Sequence, residues 1–111
     1  MGYSRAVIQG DWCFVSGVTG YDYSTMEMPD SITDQAKNCF STITSVLTEA
    51  SFSMSDIVRV QYTVTDRQLV DQLSPILGTF LGDIRPAATM IIAGLIKPEM
   101  LIEIEVTAFR G

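Results

Sequence analysis

Between Ala87 and Phe109 the chain reads AATMIIAGLIKPEMLIEIEVTAF, and no other stretch limits the fold as much. From Leu101 to Phe109 apolar and polar residues alternate. Ile102, Ile104, Val106 and Ala108 fall on one face, and Glu103, Glu105 and Thr107 on the other. A period of two is that of a strand with one face in a core. The run from Ala87 to Gly94 has no polar face in its middle, where Met90, Ile91, Ile92 and Ala93 follow one another. That pattern predicts a strand covered on both sides. The two strands are joined by a turn from Leu95 to Met100 that contains Pro98. The Glu face is then either open to water, or the lining of a site or a subunit contact.

The rest of the chain supplies partners for these strands. Arg5–Gln9 and Trp12–Val18 flank Gly10-Asp11, which predicts a hairpin with a two-residue turn. Thr19 to Pro29 reads as a loop, broken by Gly20, Asp22, Ser24 and Pro29. Its Tyr21, Tyr23, Met26 and Met28 either pack on their own chain or form a flap against a partner subunit. Asp30 or Ser31 caps a helix, with Asp34 and Gln35 placed for the reciprocal bond. Ala36, Phe40, Ile43, Leu47 and Ala50 make one apolar stripe along it, and Ser51 to Ser55 close it. Ile57–Thr65 predicts a strand with Val58, Val60, Tyr62 and Val64 on one side and Arg59, Gln61, Thr63 and Thr65 on the other. A second helix, Arg67–Leu81, carries Leu69, Leu73, Ile76 and Phe80. Pro75 predicts a kink there or a late start near Ser74.

The order is β-β-α-β-α-β-β, a single α+β domain over residues 1–111 with a mixed sheet. Two helices with single stripes cover one sheet face. The other face holds Arg59, Gln61, Thr63, Glu103, Glu105 and Thr107, mixed with apolar residues of the penultimate strand. Self-association of sheets best accounts for so mixed an uncovered face. The low charged fraction, 18%, fits either such covering or a surface rich in Ser and Thr.

Charge and residue usage exclude several function classes. Net charge is −6, without a Lys/Arg cluster, which disfavours binding to nucleic-acid backbones. No run of 18 or more apolar residues predicts a membrane span. The opening Met-Gly-Tyr-Ser-Arg lacks the apolar core of a secretion signal, and Ala6 makes a poor match to a myristoylation site. Cys13 and Cys39 fall in a predicted strand and a predicted helix; they read as small buried hydrophobes in a reducing cytoplasm. With no His, neither a zinc site nor a Ser-His or Cys-His nucleophile pair is expected, and any catalysis falls to carboxylates, Tyr, Ser/Thr, Arg or backbone groups. No metal and no cofactor are expected.

Five short motifs occur in order: Gly2-Tyr3-Ser4-Arg5-Ala6, Val15-Ser16-Gly17, Asp56-Ile57-Val58-Arg59, Pro86-Ala87-Ala88-Thr89 and Ile102-Glu103-Ile104-Glu105. Together they resemble the GPYSQA, VSGQ, DVVK, PARS and EIEA pattern of the YjgF/RidA family, also called UK114 or L-PSP-type. The resemblance implies a chorismate-mutase-like α+β fold and a homotrimer with ligand pockets in the clefts between subunits. Members of the best-known type hydrolyse reactive enamines and imines to 2-keto acids and ammonia; others are described as endoribonucleases or translation inhibitors.

Residue by residue, the resemblance implies Glu103 as the group that positions or activates water, and Tyr3, Ser16 and Gly17 as ligand-binding positions. Ala88 stands where the family has its carboxylate-binding Arg, Met90 where it has a Cys, and Ser74 near its pocket Asn. A methyl group cannot replace a bidentate guanidinium. Arg85 lies three residues before Ala88, and an odd strand offset predicts that it points to the opposite face. Arg5, Arg59 and Arg110 are candidates to reach in from a neighbour. Read without the resemblance, Tyr3 is packing or surface, Ser16 a strand-end residue, and Glu103 solvated or paired with Arg59 or Arg110. The expectation is a trimer binding a small metabolite, either an imine or enamine hydrolase or a non-catalytic binder, with an endoribonuclease disfavoured.

Overall fold

The computed structural model describes residues 2–111; Met1 of the opening motif lies outside them. The first hairpin forms as its turn chemistry predicts. Strands β1 (Ala6–Gln9) and β2 (Trp12–Thr19) pair antiparallel, and Gly10 takes φ +59° at the first central position, where a side chain would be strained.

Helix α1 (Ile32–Glu49) starts at Ser31, whose hydroxyl accepts the Asp34 N–H at 3.2 Å. Its buried stripe is Ile32, Gln35, Ala36, Cys39, Phe40, Ile43 and Leu47. Gln35 does not complete the cap; it faces the core side instead. At the other end the Ser51 N–H reaches the Thr48 carbonyl at 3.0 Å and the Phe52 N–H reaches the Leu47 carbonyl at 2.8 Å. This is the closure in which a left-handed residue ends a helix, and the residue is Ser51 at φ +65° rather than glycine. Ser51→Gly is therefore expected to raise stability by about 0.5–1 kcal/mol, because the left-handed penalty exceeds the added chain entropy. Urea denaturation checks this; a loss of stability would refute it.

Strand β3 (Ile57–Val64) buries Ile57, Val60, Tyr62 and Val64. Val58 was expected on that face and is instead exposed. The pairing with the last strand slips between Ile57 and Arg59, and that irregularity hands the first core position to Ile57. A single 3-10 turn, Arg67–Leu69, leads into α2 (Val70–Leu81). The late start expected near Ser74 does not occur. Pro75 sits six residues into α2, which runs through it from Val70.

The sheet is completed by β4 (Ala87–Ile92) and β5 (Ile102–Phe109), in the order β1-β2-β5-β3-β4. β4 runs parallel to β3 across the α2 crossover, and the other pairs are antiparallel. β4 and β5 are not neighbours, because β3 lies between them. One expectation falls here. β4 is not covered on both sides in the chain: it is the edge strand, and all six of its residues are exposed.

Both helices lie on one face. Phe40 stacks on Phe80 at 4.5 Å between ring centres. With Ile32, Ile43, Leu47, Leu73 and Leu81 these rings cover Val15 and Val18 of β2, Val60 and Val64 of β3, and Ile102, Ile104 and Val106 of β5. Among the described residues no helix is long and apolar enough to cross a membrane.

Candidate functional site

The site grows from an irregularity in β2. Val15 pairs with Val106 and Val18 with Ile104, so Ser16 and Gly17 together oppose Glu105 alone. Such a bulge twists the strand and re-aims its side chains. Gly17 has no Cβ, and the Glu103 side chain occupies the space: a Cβ there would lie 2.5 Å from the Glu103 carboxyl carbon. Bulge and glycine together seat that carboxyl group against the β2 backbone.

Arg5 is locked beside it. The Ser16 N–H and hydroxyl both donate to the Arg5 carbonyl, at 2.9 and 3.0 Å. Arg5 Nη1 donates to the Gly17 carbonyl at 2.8 Å and more weakly to Ser16 Oγ at 3.4 Å. Its guanidinium lies 5.5 Å from the centre of the Tyr23 ring. The Tyr23 hydroxyl in turn shares a hydrogen bond with Thr19 Oγ1 at 3.3 Å.

Glu103 is half-buried. Burial pushes its pKa above the usual carboxylate value, the Glu105 charge adds to the rise, and Arg5 opposes it. A raised acid pKa means the folded chain holds this proton more tightly than the unfolded one. That contribution is fully present below the unfolded value and is lost as pH climbs through the folded value. Glu103→Gln is thus expected to stabilise the chain at neutral pH, with the gain vanishing in acid. Thermal midpoints of both proteins across pH check this; a pH-independent difference would contradict it.

The neighbouring thiols stay neutral. Burial pushes Cys39 up to about 12, and its Sγ donates to the Val18 carbonyl at 3.3 Å. Cys13 is also raised by burial, and both thiols are free.

The other expected positions divide between the two faces. Tyr3 and Ser16 line a cavity of about 440 Å³ on the helix-free side, with Arg59, Gln61 and Glu105. Ala88 and Met90 pair with Val60 and Tyr62, whose side chains point under the helices, so both lie on the face opposite Glu103. Ser74 is exposed on α2, its hydroxyl donating to the Val70 carbonyl at 3.0 Å. One chain thus gathers Glu103, Gly17 and Ser16, places Tyr3 beside Ser16, and leaves Ala88, Met90 and Ser74 elsewhere.

The arginines sort as clearly. Arg110 Nη1 binds the Ala50 and Ser51 carbonyls at 3.2 and 3.0 Å, and its guanidinium lies 4.2 Å from the centre of the Phe52 ring. It caps α1 and does not pair with Glu103. Arg59 reaches Thr89 at 3.4 Å on the helix-free face. Arg5, one of the candidates to reach in from a neighbour, stands on the Glu103 side of β2 in its own chain. Its signal was its place next to Tyr3-Ser4 in the first motif. Arg85 was expected to face away from Ala88 by strand offset. It precedes β4, takes φ +54°, and lines the same groove as Ala88, so the offset rule does not reach it.

A family model described as Endoribonuclease L-PSP matches residues 1–110. The chain belongs to the YjgF/RidA family. A RutC family protein of Pyrococcus horikoshii is 26% identical over 109 residues, covering 97% of this chain and 86% of that one. The crystal structure of a YjgF/YER057c/UK114 family member from Mycobacterium tuberculosis superposes with a TM-score of 0.89 at 33% identity, over 98% of this chain and 87% of that chain. RidA from the Antarctic bacterium Psychrobacter sp. gives 0.92 at 26% identity, over 99% and 89%. The YjgF/RidA fold expected from the sequence, two helices on a mixed five-stranded sheet, is the fold observed.

Proposed function

We propose that this YjgF/RidA protein is a cytoplasmic homotrimer that binds a small metabolite in clefts between subunits and hydrolyses an imine or enamine there. The observation that carries the reading is Glu103: a half-buried carboxyl group with a raised pKa, seated on Gly17 beside the fixed cation of Arg5. Hydrolysis of an imine needs a proton on nitrogen and a water at carbon. A carboxyl group whose pKa is raised is a better-placed acid than an ordinary carboxylate, and in its protonated form it donates to the nitrogen. The resulting carboxylate then takes a proton from the attacking water, and a ketone and ammonia leave.

An exposed apolar face supports the assembly. Trp12, Phe14 and Phe109 pack together on the helix-free side, yet each remains more than a third exposed, and β4 presents Ile91 there. Apolar surface of that extent on a sheet face suits burial against other copies. It would also bring the Ala88, Met90 and Ser74 positions of one chain toward Glu103 of the next. Two buried free thiols suit a reducing compartment.

Coupling the protein to an amino-acid oxidase and trapping the released imine with semicarbazide tests the hydrolase. Trapping should fall with this protein and recover with Glu103→Gln. Unchanged trapping would leave the second reading, a non-catalytic metabolite-binding trimer, which Ala88 in place of the family's arginine favours. Light scattering should give about three times the 12.2 kDa chain mass; a lone chain would remove the interfacial cleft. RNA binding is disfavoured by the net charge of −6, and absence of any gel shift at low salt is expected.

A further inference from the structure

Strand β1 ends the sheet, and among the described residues no strand pairs with its outer edge. The register tells which of its backbone groups are free. The Ser16 N–H donates to the Arg5 carbonyl, one step beyond the Ala6–Val15 pair. Bonded and unbonded pairs alternate along an antiparallel ladder. Arg5, Val7 and Gln9 therefore turn their backbone groups to β2, and Ala6 and Ile8 turn theirs outward. Natural edges are blunted by shortness, by Lys or Pro, or by a bulge. β1 is short, but Ala-Val-Ile-Gln contains no Lys and no Pro, and the bulge beside it belongs to β2.

A groove of about 340 Å³ lies beside this edge on the helix side. Ala6 and Ile8 form one wall, Val46 and Ala50 of α1 the other. Ile8, opposite the buried Cys13, is still 50% exposed, and so is Val7, opposite Phe14 on the other face. The charges of the groove stand at its two ends. Arg5 immediately precedes the strand. Glu49 is at the end of α1, and that end lies by the β1–β2 turn: the Arg110 N–H donates to the Asp11 carbonyl, while its Nη1 donates to the Ala50 and Ser51 carbonyls. Arg5 reaches the Gly17 carbonyl and Ser16 Oγ through Nη1, and no acceptor is found for its other guanidinium nitrogens among the described residues.

We propose that a second copy of this chain docks on this edge, β1 against β1, antiparallel about a two-fold axis. With Val7 on the axis, Ala6 of each copy faces Ile8 of the other, and each such pair exchanges N–H and C=O groups. Size and charge select this register. Each Ile8 enters the groove of the other copy above the small Ala6, toward Val46 and Ala50. The two-fold also carries Arg5 of each copy to the turn end of the other, where Glu49 stands. Unlike charges thus meet, which matters for two copies that each carry −6. An edge of four residues is short beside the roughly 1,200–2,000 Å² of a stable interface. The pairing is therefore reversible and sets in with concentration, leaving the assembly proposed above intact in dilute solution. It goes beyond the functional reading and rests on neither the helix-free face nor Glu103.

Sedimentation velocity of the whole protein from about 5 µM to about 1 mM tests it, and the mean mass is expected to double across that range. Ile8→Pro deletes the outward N–H and spares the bonds to β2, whereas Ile8→Lys places a charge on the edge. Each should move the doubling at least about tenfold higher in concentration, with circular dichroism unchanged. Glu49→Lys should weaken it as well, and Glu103→Gln should leave it unaltered. A constant mass up to about 1 mM would overturn the proposal and leave the edge to a strand of another protein. A doubling that survives in both Ile8 variants would overturn it too. The mass in dilute solution, three chains or one, reports separately on the trimer.

Discussion

Gln35→Ala should lower folding stability by about 3 kcal/mol, far more than a polar helix residue normally contributes. Gln35 is 1% exposed and works as a three-way clamp. Its Nε2 donates to the Pro29 carbonyl at 2.8 Å and to the Glu99 carbonyl at 3.0 Å, while its Oε1 accepts the Leu101 N–H at 2.9 Å. One side chain therefore ties the end of the 19–29 loop and the turn before β5 to α1. Alanine strands a donor and two acceptors around a small void, and each buried group left without a partner costs about 1–3 kcal/mol. Replacing Lys37, on the exposed side of α1, should change stability by less than about 0.5 kcal/mol. Guanidinium denaturation measures both. Amide exchange should also quicken in the loop and the turn, both of which lead toward Glu103. A loss below about 1 kcal/mol for Gln35→Ala would mean water replaces the clamp at little cost.

Gly20→Ala should be nearly as damaging, by about 2–3 kcal/mol. Gly20 is buried where β2 ends against α1, and its carbonyl accepts Asn38 Nδ2 at 3.0 Å. A Cβ at this position would meet the Gln35 Cβ and lie 2.6 Å from the Gln35 Cα, so the helix backbone itself would have to retreat. Gly17→Ala is the instructive contrast. Its Cβ would meet only the far end of the Glu103 side chain, which can swing away. That variant should keep its stability within about 1 kcal/mol but displace the carboxyl group, so the proposed imine turnover should fall, as is expected of Glu103→Gln. Equal damage to folding from both glycine variants would contradict this account.

Much of the site was legible because its residues lie within short motifs whose local chemistry is self-contained. The alternation of β5 put Glu103 on the helix-free face, and Ser16-Gly17 marked a place where β2 could deform. The role of Gln35 was misread as a capping residue, since a Gln three or four residues into a helix carries the same local signature whether it turns back to the cap or reaches a turn 64 residues away. Arg85 was misjudged for a similar reason: an offset rule holds only along a strand, and a left-handed residue before Ala87 breaks it.

Periodicity by itself determined the element types and their order, the apolar stripe of α1, the tight turn at Gly10 and the existence of one uncovered sheet face. Those follow from interactions a few residues apart, which a sequence states directly. Only the tertiary structure decided that β3 inserts between β4 and β5, leaving β4 as an exposed edge, that Arg5 stands beside Glu103, and that Arg85 and Tyr62 share a groove. Each of these depends on pairings between segments distant in the chain, where many arrangements bury a similar apolar area and the choice rests on how helices, bulges and strands fit together at close packing.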